Sequence, residues 1–263
     1  MEESEIYNVS RLIEDLKHED IQNRINAINK LNLITDALGP ERTRTDFIPF
    51  LQELIDDDDE VLAALAESLG QLIDAVGGPE YASGLLPLLE NLAAVEDATV
   101  RDKSVDSLCK IANVLSEQQL VEDYMPLLKR LSLGEWFTCR TSATGLFATI
   151  YSKCSKELQD ELKQIFKQLV EDDSPMVRRA AAKALGKFST QVSIEDVFST
   201  VLPLFQILSQ DDQDSVRLLA VENFTPFASF FSNEQKTEQL LPIFKRLTED
   251  KSWRVRYMIA SNY

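Results

Sequence analysis

The sequence predicts an all-α fold of about seven repeated helix pairs, and three observations predict it. A proline recurs inside apolar, helix-like stretches at Pro49, Pro87, Pro126, Pro203 and Pro242, in steps of 38, 39, 77 and 39 residues. About 13 residues beyond this position comes a Val-Arg pair, at Val100-Arg101, Val177-Arg178, Val216-Arg217 and Val255-Arg256. Only 8 of the 263 residues are Gly. Few loops can therefore adopt positive φ, which argues against a turn-rich β sandwich. A period of this length marks a repeat architecture, in which each unit buries its apolar face on the next.

The repeats follow in order. The first (9–40) starts near Val9, with Leu16 and Asn23-Arg24 in the landmark places. The second (41–78) reads FIPFLQEL around Pro49, then a degenerate Val61-Leu62 and the apolar anchor Leu69. The third (79–115) carries LLPLLENL, Val100-Arg101 and Leu108. The fourth (116–151) carries YMPLLKRL, a degenerate Cys139-Arg140 and Phe147. The double step hides the fifth (152–190), where KQIFKQL has Gln164 in the proline's place, ahead of Val177-Arg178 and Leu185. The sixth (191–230) carries VLPLFQIL, Val216-Arg217 and Phe224. The seventh (231–263) carries LLPIFKRL and Val255-Arg256. A leucine stands five residues after each proline position: Leu54, Leu92, Leu131, Leu169, Leu208 and Leu247.

Apolar residues at i, i+1, i+4 and i+5 make each first helix amphipathic. The VRxxAxxxL stripe does the same for the second. Small residues on that stripe (Ser104, Ala143, Ala181, Ala220) let neighbouring helices approach closely. The proline lies inside the first helix, where it removes a backbone hydrogen bond and is expected to kink it.

Charge and composition exclude other classes. The net charge of −17 argues against a generic nucleic-acid binder and against adhesion to anionic membranes. No apolar run reaches 18 residues, and the N-terminus lacks a signal-peptide pattern. Cys109, Cys139 and Cys154 are odd in number, with no CxxC, and read as reduced thiols of a cytoplasmic and nuclear protein.

These landmarks resemble the HEAT repeat, which implies an α-solenoid, a right-handed superhelix of antiparallel helix pairs. Longer stretches are more specific: ERTRTDFIPFL (41–51), EVLAALAESLG (60–70), VGGPEY (76–81), WFTCRTSATGLF (136–147), PMVRRAAAKALG (175–186), QDSVRLLAVE (213–222) and EDKSWRVRYMIA (249–260). They resemble the scaffold A subunit of protein phosphatase 2A, the PR65 family, over nearly the whole chain. The resemblance implies a non-catalytic scaffold whose early repeats bind regulatory B subunits. It also implies that the catalytic subunit binds later repeats, so catalytic-subunit binding is not expected of this stretch. The apolar second helix of the seventh repeat (Val255, Met258, Ile259) would be left half-covered at the chain end, so a truncated array is expected. Viral or cell-division proteins are further expected partners on the same ridge, and the alternative reading is another helical-repeat adaptor such as a nuclear-transport receptor.

The turns between paired helices carry the candidate site: DDDDE (56–60), AVEDAT (94–99), LGEWF (133–137), EDDSPM (171–176), DDQDS (211–215) and EDKSW (249–253). Acids there favour the positive end of the following helix, and Asp or Ser can cap it. Arg101, Arg140, Arg178, Arg217 and Arg256 are expected to form an Asp–Arg ladder between repeats. Trp136 and Trp253 either tuck under their own repeats or project as anchors. The expected partner contacts are Glu96, Trp136, Phe137, Pro175, Met176, Arg179, Gln213, Asp214, Trp253 and Arg254.

No catalytic constellation, metal site or cofactor motif is legible. His18 reads as a helix C-terminal cation, VGGPEY as a stop between repeats, and DDDDE as a solvated charge cluster.

Overall fold

The computed structural model describes residues 3–222 and 227–262, and the described residues form helices and turns with no strand. The expected anchor Phe224 and the terminal Tyr263 lie outside the described residues. Met1–Ser142 and Ala143–Tyr263 form two compact bodies. The division falls in the second helix of the fourth repeat, which runs as Phe137–Ala143 and, after a turn, Phe147–Ile150. None of the described helices is long and apolar enough to cross a membrane.

The repeat landmarks are core positions. Val61, Val100, Val177, Val216 and Val255 are buried, and so are the anchors Leu69, Leu108, Phe147 and Leu185. Each such side chain contributes roughly 1.5–3 kcal/mol when removed from water. The small residues Ser104, Ala143, Ala181 and Ala220 are buried as well. Close approach is visible between the second helices of repeats two and three, Asp59–Leu69 and Ala98–Val114. There the Ser107 hydroxyl donates to the Ala66 carbonyl at 2.7 Å. A Cβ at Gly70 would lie 3.0 Å from Ser107 Cα. In the C-terminal body, Phe166 stacks on Phe188 with centroids 4.6 Å apart, and Phe147 and Tyr151 meet that pair edge-on. Of the leucines five residues after the proline position, only Leu54 is not fully buried, because its helix Ile48–Gln52 ends two residues before it.

The repeat proline does more than kink. Four of the five are preceded by a five-residue π-helical segment: Thr43–Phe47 before Pro49, Leu120–Tyr124 before Pro126, Val197–Val201 before Pro203, and Lys236–Leu240 before Pro242. In each, the residue before proline donates its N–H to the carbonyl five residues back, as Met125 does to Leu120. Proline has no N–H, and in an α-helix its ring strikes the carbonyl four residues back. Widening the turn by one residue removes that clash and absorbs the missing bond. Pro87 uses a 3-10 segment instead, Pro79–Leu85, entered through Gly78. In the fifth repeat, with Gln164 in the proline's place, Lys156–Val170 is an uninterrupted α-helix.

Glycine marks two repeat boundaries. Gly39 (φ 76°) breaks Leu31–Arg42, so that Pro40 opens the first helix of the second repeat. Gly77 (φ 105°) closes that repeat, as VGGPEY suggests. The Arg44 guanidinium crosses over Gly77, donates to the Val76 carbonyl at 2.6 Å and lies 3.9 Å from the Tyr81 ring centroid. A side chain at Gly77 would strike it.

Gln164→Pro places a proline in Lys156–Val170, a first helix without a widened or tightened turn. We expect urea unfolding to show a loss of about 3 kcal/mol. A loss below about 1 kcal/mol would mean that the helix converts to the π geometry at little cost.

Candidate functional site

The turns between paired helices are held by one repeated device. The arginine at the Val-Arg position folds back and donates through Nη1 to the carbonyls six and five residues before it. Arg24 binds His18 and Glu19, Arg101 binds Val95 and Glu96, and Arg140 binds Gly134 and Glu135. Arg178 binds Asp172 and Asp173, Arg217 binds Asp211 and Asp212, and Arg256 binds Asp250 and Lys251. These carbonyls belong to the end of the first helix and the turn after it, where intrahelical donors run out.

The rest of the guanidinium reaches the next repeat. Arg178 Nε and Nη2 grip both oxygens of Asp211 at 2.6 and 3.1 Å. Arg217 grips Asp250 in the same fork at 2.7 Å each. In the N-terminal body Arg24 Nη2 pairs with Asp57 at 2.9 Å and Asp58 at 2.7 Å. The same carboxylates shape their own turns: Asp211 accepts from the Gln213 N–H and Asp250 from the Ser252 N–H. Bidentate, charge-assisted pairs of this kind are the strong ones. Burial alone would push the Asp250 carboxyl up. The hydrogen bonds from Arg217 and Ser252, with the Arg217 and Lys251 charges, outweigh it and hold Asp250 below its ordinary range. The bond to Asp250 likewise raises Arg217 above its ordinary value against the cost of burial.

Two sequence expectations change. Arg101 makes the carbonyl half of the device, but the position 33 residues on, where Arg178 and Arg217 find an aspartate, is Gly134. It has no carboxylate, so Arg101 is a loop clamp rather than a rung between repeats. DDDDE is not a purely solvated cluster, because Asp57 and Asp58 hold Arg24, a rung that the ladder expectation omitted. The signal was present in Asn23-Arg24, at the landmark place. Outside this device, His18 is not placed as a helix cation. Its Nδ1 accepts from the Asp20 N–H at 2.9 Å, three residues past the end of Glu3–Asp15.

Around these clamps the expected partner residues lie in two groups, one per body. In the N-terminal body Glu96 is exposed, Trp136 is 69% exposed and Phe137 is 40% exposed. Leu133 at 71% joins them and was not anticipated. In the C-terminal body Pro175, Met176, Arg179, Gln213 and Arg254 are exposed, and Trp253 is 67% exposed. Both tryptophans project rather than tuck under their repeats. Tyr257, one helical turn after Trp253, meets its ring edge-on at 6.5 Å and is equally open. The i, i+4 spacing was the available signal for it. Asp214 is half-buried, accepting from the Ser252 hydroxyl at 2.8 Å with Arg254 3.6 Å away. It joins the turns of repeats six and seven through one carboxylate oxygen, Oδ2. Arg178 is mostly covered while its neighbour Arg179 is open, so consecutive arginines face opposite ways. Among the described residues no group of His, Cys, Asp and Glu could hold a metal ion.

The chain is similar in sequence and in fold to known proteins. A family model described as "Sister chromatid cohesion protein PDS5 protein" matches residues 46–260. The chain is 53% identical over 192 residues to the alpha isoform of the 65 kDa regulatory A subunit of serine/threonine-protein phosphatase 2A from Arabidopsis thaliana, covering 73% of this chain and 33% of that protein. It is 51% identical over 204 residues to the protein phosphatase 2A scaffold subunit of Dictyostelium discoideum, covering 77% and 35%. It therefore spans about a third of the length of these relatives. A solved Kap95p–RanGDP structure superposes with a TM-score of 0.75 at 14% identity, covering 97% of this chain and 35% of that one. Kap121p bound to Nup53p gives 0.74 at 15%, covering 95% and 28%. The fold is a HEAT-repeat α-solenoid. Fold alone leaves about 15% identity, as the karyopherins show. Half-identity is far above that level, and it decides the family where the cohesion-protein model registers the same helical repeats.

Two outcomes test the clamp. Arg217→Ala leaves Asp250 buried without its partner and should cost about 3–5 kcal/mol in thermal or urea unfolding, whereas Arg179→Ala should change stability by less than about 0.5 kcal/mol. Because Asp250 is held below its ordinary 3.8, its contribution is present above pH 3.8 and lost as pH falls through its lower folded value. The drop in melting temperature on acidification below that pH should be shallower in Asp250→Asn than in the unmodified chain.

Proposed function

The chain belongs to the scaffold A subunit (PR65) family of protein phosphatase 2A, and from that premise we propose that it is a non-catalytic scaffold segment whose inter-helix turns dock regulatory B subunits. The observation that carries this reading is a contrast within three of the turns, 133–137, 171–176 and 249–253, with the residues just after them. Arginines and aspartates of the repeat are spent inward on the clamp, while large apolar and cationic side chains beside them stay open: Trp136 and Phe137 in one body, Met176, Arg179, Trp253 and Arg254 in the other. Trp and Arg in such settings dominate binding energy. A side chain on a clamped turn also loses little further freedom when a partner arrives.

Within each body the turns recur once per repeat, so a partner laid along them there touches several turns shallowly. Regulatory subunits of different architecture can share such a surface and would exclude one another by occupying it. Binding of the catalytic subunit is assigned to later repeats of the family's longer chains. The proposed setting is cytoplasmic and nuclear. A nuclear-transport role has only the low-identity fold likeness behind it.

Trp253→Ala tests the reading. Calorimetry should show binding of a regulatory subunit weakened about 30-fold, the loss of roughly 2 kcal/mol, with the melting temperature unchanged. Equal binding by the variant would remove Trp253 from the interface, and failure of the unmodified chain to bind any regulatory subunit would remove the proposal.

A further inference from the structure

The acidity of this chain is not spread evenly. Met1–Ser142 carries twenty-eight Asp and Glu against twelve Lys and Arg, while Ala143–Tyr263 carries sixteen against fifteen. Nearly the whole excess of seventeen negative charges therefore belongs to the N-terminal body. The asymmetry is sharper still between Arg44 and Arg101, where thirteen acids occur without a single Lys or Arg.

Part of that charge borders an open apolar edge. Leu133, Trp136 and Phe137 stand exposed at the fourth-repeat turn, with Glu135 exposed among them. The neighbouring turn is seated against the helix that follows: the Thr138 hydroxyl donates to the Ala94 carbonyl at 2.9 Å, and the Ser142 hydroxyl to Ala93 at 2.6 Å. This places exposed Glu96 beside the apolar edge. One repeat further back, Asp56, Asp59 and Glu60 are exposed at the second-repeat turn. The clamp consumes only Asp57 and Asp58 there, through Arg24. The C-terminal body presents a different surface, with Arg179 and Arg254 open beside Met176 and Trp253.

Resting on the regulatory-subunit reading above, we infer that the partner segment seated on the N-terminal body is basic, an amphipathic cationic element of the regulatory subunit. Its apolar side chains cover Leu133, Trp136 and Phe137, while its lysines and arginines face the acids of the second-, third- and fourth-repeat turns. The apolar edge supplies the anchor, and the acidic border selects the sign of the partner. Exposed charges on this scale act mainly on encounter, raising association rates at low salt and suppressing acidic partners. Their reach is about 10 Å at 0.1 M salt and about 3 Å at 1 M.

The test is stopped-flow or surface-plasmon association of a purified regulatory subunit with the intact chain at about 0.05 and 0.5 M salt. The comparison is a variant carrying Asp56→Asn, Asp59→Asn, Glu60→Gln, Glu96→Gln and Glu135→Gln; Glu96 and Glu135 meet the clamp only through their backbone carbonyls, which the substitutions keep. The unmodified chain should associate at least about tenfold faster at the lower salt. The variant should lose most of that ratio, with its dissociation rate nearly unchanged, its circular dichroism intact and its melting lowered only by the loss of Asp59 and Glu60 from the first turn of their helix. Equal salt ratios in the two proteins, or faster association of the variant, would overturn the basic-partner inference and leave the scaffold reading standing. Absence of any binding by the unmodified chain would overturn both.

Discussion

A guanidinium that faces two ways is the interaction on which the rest depends. One nitrogen of each repeat arginine closes its own turn by taking two backbone carbonyls. In Arg24, Arg178 and Arg217 the others reach a carboxylate of the next repeat. Local order and register between repeats are thereby written in the same side chain. Arg217 and Asp250 are both nearly covered, so neither is solvated well enough to be left alone. Charged groups that would otherwise disfavour burial become the reason two turns stay in a fixed relation. The exposed side chains of those turns inherit that geometry.

The proline and the arginine divide the labour within a repeat. Proline acts in the first helix, where a widened turn absorbs its missing N–H. Arginine acts at the start of the second, where the turn is closed. The fifth repeat separates the two devices, having Arg178 and its fork but no proline and no π-helical segment. The third and fourth repeats show the other variation. Pro87 is reached through a 3-10 segment entered by Gly78, and Arg101 has Gly134 where an aspartate would stand. Repeats of one family thus keep the apolar stripe and vary the polar devices.

The fold was legible because its determinants are periodic. Proline, leucine and Val-Arg positions repeat at nearly constant spacing, and each maps onto a buried or turn-closing role. The π-helical segments were not legible, since a proline in a helix announces a disturbance without saying how the backbone absorbs it. The individual clamp rungs were only half legible. Arginine recurs visibly, but the identity of its carboxylate depends on a neighbouring repeat, and a single glycine at 134 removes a rung. Asp214 reads as a partner contact and also binds Ser252 and Arg254 through Oδ2, a pairing between turns that no local pattern reveals. Tyr257 was missed for the opposite reason, because an exposed aromatic one turn inside a helix resembles a core residue in sequence.

Hydrogen exchange of the chain, alone and saturated with a regulatory partner, puts the docking role of the clamped turns to the test. Protection should gather in the turns between paired helices, at 56–60, 94–97, 133–137, 171–176, 211–214 and 249–254, with the rest of the chain unchanged. Protection concentrated instead on the first helices or at the boundaries between repeats, around 39–41, 77–81 or 115–120, would contradict that role.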